Sequence, residues 1–251
     1  MNGMNEFKNA MNNKCAVKII AGIDNRNIEN VRNVISAANQ GGANAIDICF
    51  DKNIYDMARE MTNLPIFVSS IIPSELAQAA QWGADALEVG NYDVLYKKGM
   101  RVSASDVRNI VSETLRLLDG QNIFMSVTIP GHITVDEQIE LAHWLETQNV
   151  NLIQTEGAAT VNTQKTGSRG ILETAEVSLA NTMELSMNTD LPIMTASGIG
   201  VQTAKMAFAA GASAIGVGSA VNKCDSLISM IAVVRTIMDN VNSLRRETLN
   251  V

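Results

Sequence analysis

Four charged residues lie inside short apolar segments, where a charge is unfavourable unless it is paired or used. Lys18 lies in AVKII, Asp47 in AIDIC, Glu88 in ALEVG and Glu156 at the end of LIQTE. Side chains two residues apart on a strand point the same way. Spacing from the preceding helix ends therefore places Asp47 and Glu88 in one layer and Glu156 in the next layer towards the strand ends. We predict that these carboxylates face a common interior, which Lys18 can reach as a counter-ion.

Glu156 is the carboxylate that we expect to act as a general acid or base. It ends a strand, and barrel enzymes bind their substrates at that edge. The alternative is a side chain that only binds the amides of the next loop. Asp47 and Glu88, together with Lys18, could take part in catalysis or form a structural ion network. Mg²⁺ held by these carboxylates is a further alternative.

A second group of residues could bind a phosphate. Residues 193–196 and 214–218 read as strands on either side of a helical pattern, and glycine lies at or just after the end of each. Backbone amides at such strand ends bind anions, as the loops after strands 7 and 8 of (β/α)8 barrels commonly do. The alternative is that each glycine is only a cap or turn residue. The predicted phosphate cradle consists of Gly198, Ile199, Gly218 and Ser219.

An internal repeat limits the ligand to one phosphate. LPI at residues 64–66 recurs at 191–193, and GADAL at 83–87 recurs as GASAI at 211–215. The two copies would lie on opposite sides of an eight-stranded barrel. Glu88 stands in the first copy where Gly216 stands in the second. A carboxylate repels an anion, so only the second copy keeps an open cradle.

Three further features could contribute to a site. His132, in the loop after a strand, could be an acid or a phosphate donor, or only a solvated side chain. Cys49 is expected to be a small buried thiol rather than a nucleophile. The loop 157–170, with Lys165 and Arg169, could close over an anionic ligand or remain a solvated polar loop.

The composition excludes several classes of protein. A net charge of −7, a pI near 4.9 and the absence of a basic stripe argue against a nucleic-acid surface. We expect a soluble chain without a membrane span, because charged residues interrupt the apolar segments. Three separated cysteines are typical of a reducing compartment. Neither a P-loop nor a complete dinucleotide fingerprint is present.

Strands and helices alternate along the whole chain. The strand-like segments are 15–23, 45–49, 65–70, 86–90, 123–129, 152–156, 193–196 and 214–218. The helical patterns are 28–38, 54–61, 74–82 with Ser74 as N-cap, 104–118, 135–148, 171–187, 201–210 and 225–241. We predict an α/β fold, a single (β/α)8 TIM barrel over residues 15–242. A polar N-terminal tail, 1–14, and a C-terminal tail, 243–251, would flank it.

Several segments together resemble a known family. VKIIAGIDN, LPIFVSS, GADALEVGNYD, LIQTEG, TASGI and AIGVGSAVNK are similar to the plastid and cyanobacterial-type family called hypothetical chloroplast reading frame twenty-three. The resemblance covers residues 18–235. It implies an aldolase-type barrel, similar to ribulose-phosphate-binding barrels, located in the plastid stroma, or in the cytoplasm if the chain is bacterial. It assigns no catalytic residue. Gly131 separates Pro130 from His132, where the family is expected to have proline followed directly by histidine.

The leading hypothesis is a barrel enzyme that binds a small monophosphorylated metabolite and catalyses an isomerase or lyase type of proton transfer. A second hypothesis is an FMN-binding oxidoreductase, since FMN also ends in one phosphate. A third is a non-catalytic regulatory protein that binds a metabolite. The sequence fixes no cofactor, and a homo-oligomer is compatible with each hypothesis.

Overall fold

A computed structural model describes residues 3–157 and 166–248 of the chain. In this part, eight parallel strands pair in sequence order, and the first pairs with the last to close a barrel. The predicted (β/α)8 fold is therefore confirmed. The strands are β1 (Ala16–Ile20), β2 (Ala45–Cys49), β3 (Ile66–Ser70), β4 (Ala86–Val89), β5 (Phe124–Thr128), β6 (Leu152–Thr155), β7 (Ile193–Thr195) and β8 (Ala214–Val217).

Helices surround the barrel and connect its strands. They are α1 (Gly3–Asn12), α2 (Ile28–Gly41), α3 (Lys52–Met61), α4 (Pro73–Gln81), α5 (Asp93–Lys97), α6 (Ala104–Leu118), α7 (Val135–Glu146), α8 (Gly167–Asn188), α9 (Ala204–Ala209), α10 (Ser219–Asn222) and α11 (Leu227–Thr248). Capping boxes start two of them: Ser103 with Asp106 at α6, and Thr134 with Glu137 at α7. Each box satisfies two amides that the first helical turn leaves without partners.

The barrel interior changes from apolar to polar along its axis. Its lower layer, at the N-terminal ends of the strands, consists of Ala16, Ala45, Phe67, Ala86, Phe124, Leu152, Met194 and Ala214. Two residues further along each strand, the inward side chains are mainly polar, and they include Lys18, Asp47 and Glu88. Side chains two apart share a face, so this polar layer lies between the apolar floor and the mouth.

Within the segment predicted as a polar N-terminal tail, residues 3–12 form helix α1. Met4, Phe7 and Met11 are buried and pack on the apolar floor of the barrel. The Phe7 ring meets the rings of Phe67 and Phe124 edge-on, at centroid distances of 5.3 and 6.0 Å. The three apolar residues follow helical spacing within a polar segment. The helix covers the bottom of the barrel because this one stripe excludes water from it.

Other element boundaries also differ from the predicted ones. α4 begins at Pro73 with Ile72 as N-cap, so Ser74 is not the cap. Proline suits the first helical position because an amide hydrogen there would have no partner. α11 extends to Thr248, which makes the start of the predicted C-terminal tail helical. α5 and α10 lie in segments for which no helix was predicted.

Helix α11 includes a stretch, Leu227–Leu244, that by length and composition alone could cross a membrane. In the barrel one face of this helix is buried against α2. A Cβ atom on Gly41 of α2 would lie 2.4 Å from Cγ1 of Val234, so the two helices are in close contact. Packing on the barrel therefore accounts for the buried apolar residues of α11, whereas Ile228 is 80% exposed.

Candidate functional site

Lys18, Asp47 and Glu88 form a closed ion cluster in the polar layer. Nζ of Lys18 lies 2.9 Å from Oε2 of Glu88 and 3.1 Å from Oδ2 of Asp47. All three side chains have no solvent exposure. The predicted association of Lys18 with both carboxylates is therefore present, and the cluster lies one layer below the mouth, where the strand register places Asp47 and Glu88.

The two carboxylates keep Lys18 protonated. Burial alone would lower the pKa of Lys18, but Glu88 and then Asp47 outweigh it and raise that pKa above its usual value. Burial raises the pKa of Asp47, against the lowering effect of Lys18, and the charge of Glu88 raises it further. A lysine that stays charged cannot act as an amine nucleophile. The cluster thus fits a fixed cation with two carboxyl ligands.

This arrangement is unfavourable for Mg²⁺ at Asp47 and Glu88. The ammonium group of Lys18 occupies the position between the two carboxylates that a cation would need. Among the residues that the structure describes, no group of three or more His, Cys, Asp or Glu side chains could hold a metal ion. The oxygen ligands of a magnesium site are therefore already used by Lys18.

A polar network extends from the ion cluster towards the mouth. Ser69 Oγ donates to Asp47 Oδ1 at 2.6 Å, and Thr128 Oγ1 donates to Glu88 Oε1 at 2.9 Å. Asn91 Nδ2 donates to Ser69 Oγ at 3.0 Å. Gln154 Nε2 then donates to Asn91 Oδ1 at 2.9 Å and to Thr128 Oγ1 at 3.1 Å.

Asn91 is placed by the backbone of the preceding residue. Gly90 has φ of +147°, and a Cβ atom there would lie 2.2 Å from Thr128 Oγ1. Only glycine permits this approach of the chain to β5. Asn91 itself has φ of +68°, a conformation that asparagine adopts more readily than most residues. Sequence reasoning did not select Asn91; an asparagine directly after a strand-ending glycine was the available signal.

Glu156 lies directly after β6, at the mouth, and its side chain faces two loops. Its Oε1 accepts hydrogen bonds from the hydroxyl of Tyr96 and from the amide of Gly131, the latter at 3.2 Å. Glu156 is only 3% exposed. Tyr96 belongs to α5, so the segment after β4 and the loop after β5 both hold this carboxylate. The predicted general base is thus enclosed, and the predicted contact with loop amides is also present.

Tyr96 connects His132 with Glu156, because its hydroxyl donates to Glu156 and its ring contacts the ring of His132. The rings of His132 and Tyr96 are 5.0 Å apart in an edge-on arrangement, and the Arg101 guanidinium lies 5.1 Å from the Tyr96 ring centroid. Partial burial, and then the charge of Arg101, lower the pKa of His132 below its usual value. Although His132 is exposed, its lowered pKa favours the neutral ring near pH 7, so the ring could serve as a hydrogen-bond partner rather than as a cation.

The predicted phosphate cradle lies at the ends of β7 and β8. Gly198 and Ile199 follow β7, Gly218 follows β8 and Ser219 begins α10. Within the described residues, none of these four amides donates a backbone hydrogen bond to the loops or caps around it. Gly218 and Ser219 are partly or fully exposed. These amides are thus positioned at adjacent strand ends where an anion could accept from them.

The two glycines of the cradle differ in their surroundings. Gly198 has φ of +75°, and a Cβ atom there would lie 2.4 Å from the carbonyl oxygen of Thr174 in α8. Packing against α8 alone therefore accounts for Gly198. A Cβ atom on Gly218 would meet no described atom closer than 3.6 Å. Close packing does not account for Gly218, which leaves room beside its amide.

Glu156 follows β6, and Gly198 and Ile199 of the cradle follow the neighbouring strand β7. Gly157, which follows Glu156, approaches Ser197, which precedes Gly198. A Cβ atom on Gly157 would lie 3.1 Å from Ser197 Oγ. Lys165 of the predicted closing loop lies outside the described residues. Arg169 is placed on α8, where its Nε lies 3.4 Å from Glu173 Oε1.

Cys49 has the environment of an unreactive thiol. Its side chain is 1% exposed and donates to the carbonyl oxygen of Asn25 at 3.2 Å. Burial raises its pKa to about 11.

At pH 8 only about one Cys49 thiol in a thousand would be ionised. We therefore expect iodoacetamide to label Cys224, which is partly exposed, while Cys49 stays unmodified in the native protein. Peptide mass spectrometry after native labelling measures both sites, and labelling in denaturant shows that both can react. Equal native rates at Cys49 and Cys224 would contradict this assignment.

The fold defines a class of protein, the (β/α)8 TIM barrels. The chain belongs to the family described as Protein of unknown function (DUF561), whose model matches residues 2–247. A relative from Cyanophora paradoxa, named Uncharacterized protein ycf23, is 37% identical over 239 residues, which is 95% of this chain and 97% of the relative. The protein of that name from Cyanidium caldarium is 32% identical, with 92% and 93% of the two chains covered. The resemblance drawn from sequence segments is confirmed.

Solved structures share the fold at low sequence identity. The 3-hexulose-6-phosphate synthase from Salmonella typhimurium superposes with a TM-score of 0.65 at 13% identity, covering 91% of this chain and 99% of that one. The (S)-3-O-geranylgeranylglyceryl phosphate synthase from Thermoplasma acidophilum, solved with its substrate sn-glycerol-1-phosphate, gives 0.63 at 14% identity, with 96% and 98% covered. KGPDC from Streptococcus mutans gives 0.59 at 12% identity, with 91% and 97% covered. At these identities the likeness establishes the barrel fold alone.

Proposed function

We propose that this protein binds a small metabolite with one phosphate group and transfers a proton on it, in an isomerase or lyase type of reaction. The observation that carries the proposal is the position of Glu156 directly after β6, the strand that pairs with β7. The contact between Gly157 and Ser197 brings the carboxylate and the cradle to one side of the mouth. A base beside an anion site is the arrangement that proton abstraction from a phosphorylated substrate requires.

In this proposal the backbone does the binding and Glu156 does the chemistry. The amides of Gly198, Ile199, Gly218 and Ser219 would hold the phosphate oxygens. Glu156 would take a proton from a carbon or hydroxyl group of the ligand, and the neutral ring of His132 would be an accessory hydrogen-bond partner. Lys18, Asp47 and Glu88 have no solvent exposure and would act through the groups above them.

Two solved neighbours with the same fold support the class of ligand. One neighbour was solved with sn-glycerol-1-phosphate, and another is named as a synthase of a hexulose phosphate. Family membership supports a location in the plastid stroma, or in the cytoplasm if the chain is bacterial.

Substitution of Gly218 by aspartate is expected to weaken phosphate binding at least about ten-fold relative to asparagine at the same position. A carboxylate about 4 Å from a phosphate opposes it by several kcal/mol near a protein surface. Gly218 has φ of −110° and open space, so both side chains can be accommodated. Calorimetry with inorganic phosphate and glycerol phosphate measures the effect.

The Gly218→Asn variant is the matched control because it has the same shape without the charge. Native mass spectrometry of the gently purified wild-type protein would in addition show a co-purified phosphorylated compound or a flavin. Equal phosphate affinities in the wild type and the aspartate variant would remove the cradle from the proposal. Failure of all phosphorylated compounds to bind the wild type would overturn the proposal itself.

A further inference from the structure

Three buried polar atoms, two in the barrel interior and one at the start of α5, have no hydrogen-bond partner among the described residues. They are Tyr92 Oη, Ser126 Oγ and Gln154 Oε1. Each belongs to a residue that is at most 1% exposed. A buried polar group without a partner destabilises a fold, so such groups are uncommon and each calls for an explanation. Gln154 is the most informative of the three because an amide oxygen can only accept, whereas a hydroxyl can rotate to donate or accept.

A chain of hydrogen bonds that starts at Asp47 fixes the orientation of Gln154 through Asn91. Asp47 accepts from Ser69, and Asn91 Nδ2 donates to Ser69 Oγ. The amide nitrogen of Asn91 therefore faces Ser69 and Asp47, and its oxygen faces Gln154. Asn91 Oδ1 can only accept, so the nitrogen of Gln154 must point towards it, at 2.9 Å.

A second chain of hydrogen bonds starts at Glu88 and reaches Nε2 of Gln154 through Thr128. The single hydroxyl hydrogen of Thr128 is donated to Glu88 Oε1 at 2.9 Å. Thr128 Oγ1 can therefore only accept from Gln154, and it lies 3.1 Å from Nε2. Rotating the Gln154 amide would place its oxygen against two acceptors. Lys18 binds both carboxylates and so fixes the donor-to-acceptor direction in both chains of hydrogen bonds.

The oxygen of Gln154 faces the side of the barrel that ends in the phosphate cradle. A Cβ atom on Gly216 would lie 3.4 Å from Gln154 Oε1. Gly216 is two residues before Gly218, on the same interior face. The same Cβ atom would lie 3.0 Å from Cβ of Ala196, which follows β7 and precedes the cradle. A fixed acceptor thus lies below the amides that would hold the phosphate.

We propose that Gln154 Oε1 accepts a hydrogen bond from a ligand hydroxyl, and that the protein therefore selects hydroxylated monophosphates, the sugar and polyol phosphates, over alkyl phosphates. This inference rests on the proposed function and names the substrate class for the same site. Lys18, Asp47 and Glu88 act as positioning residues, because they hold the Gln154 amide in one orientation. The ion cluster would thus affect ligand binding without contacting the ligand.

The test compares ligands of equal length on the wild-type protein. Glycerol 3-phosphate carries two hydroxyls, 1-propyl phosphate carries none, and inorganic phosphate reports the cradle alone. We expect calorimetry to show glycerol 3-phosphate binding about ten-fold more tightly than 1-propyl phosphate, because a well-placed acceptor is left unpaired by the alkyl chain. Equal binding of the two would mean that water satisfies Gln154, and it would overturn the inference while leaving the proposed function intact.

Two variants assign the discrimination to Gln154. Gln154→Met should reduce the preference for glycerol 3-phosphate to less than about two-fold and leave the affinity for inorganic phosphate unchanged. Gln138→Met is the matched control. Gln138 of α7 is also a buried amide, 3% exposed, and it donates to the carbonyl oxygen of Ile133. It should keep the full preference. An unchanged preference in Gln154→Met, or its loss in Gln138→Met, would assign hydroxyl selection elsewhere. Binding of none of the three compounds to the wild type would overturn the proposed function and this inference with it.

Discussion

Replacing Lys18 with methionine is expected to lower the free energy of unfolding by about 3–5 kcal/mol, because it leaves an uncompensated charge in the barrel interior. Asp47 and Glu88 both lose the ammonium group that lies 3.1 and 2.9 Å from their oxygens. Neither carboxylate has any solvent exposure, so water cannot take the place of the lost ammonium group. Urea unfolding followed by far-ultraviolet circular dichroism measures the loss as a shift of the midpoint at constant slope.

Removing all three charges together separates charge from packing. A variant with Lys18→Met, Asp47→Asn and Glu88→Gln is expected to recover at least half of the loss, since buried ion clusters can be replaced by neutral groups at little cost. Glu113→Gln, which breaks an exposed pair with Arg116 on α6, should leave the midpoint unchanged. A loss below about 1 kcal/mol in Lys18→Met would show that the carboxyls protonate and that the cluster is not held by charge.

The alternation of strands and helices was readable from the sequence because local features mark each element. Gly42, Gly83 and Gly211 end helical segments in a left-handed conformation, and an apolar strand follows each of them. The period of two then fixes which side chains point inward. That rule was enough to place Asp47 and Glu88 inside the barrel, without any knowledge of the three-dimensional neighbours.

The contacts around Glu156 were not readable because they join segments that are far apart in sequence. Tyr96 lies 60 residues before its partner Glu156, and it belongs to a short helix in a segment that lacks a clear period. Asn91 meets Gln154 across 63 residues. Such partners depend on which loops the closed barrel brings together. By contrast, the spacing of Met4, Phe7 and Met11 was a local helical signal that the polar composition of the segment obscured.

Substituting glutamine for Glu156 is expected to slow proton exchange on a bound ligand by about 10²–10⁴-fold, the usual contribution of a general base. Dihydroxyacetone phosphate is a suitable probe because it has one phosphate, a hydroxyl and acidic C–H bonds next to a carbonyl. Incubation in deuterium oxide and proton nuclear magnetic resonance measure the loss of the C–H signal, so the overall reaction need not be known. Glutamine keeps an oxygen that can accept from Tyr96 and Gly131, so the surrounding loops should stay in place.

The control for this experiment is Glu137→Gln, at the start of α7 near the same loop. Glutamine can replace glutamate in the capping box, so this variant should exchange protons at the wild-type rate. Binding of the probe should be similar in all three proteins, because the cradle amides are unchanged. Tight binding with no exchange above the rate in buffer, in wild type and variant alike, would contradict an enzyme acting through Glu156. The same cradle would then serve a regulatory protein that binds a phosphorylated metabolite without converting it, because affinity without proton transfer requires only the glycine-ended strands.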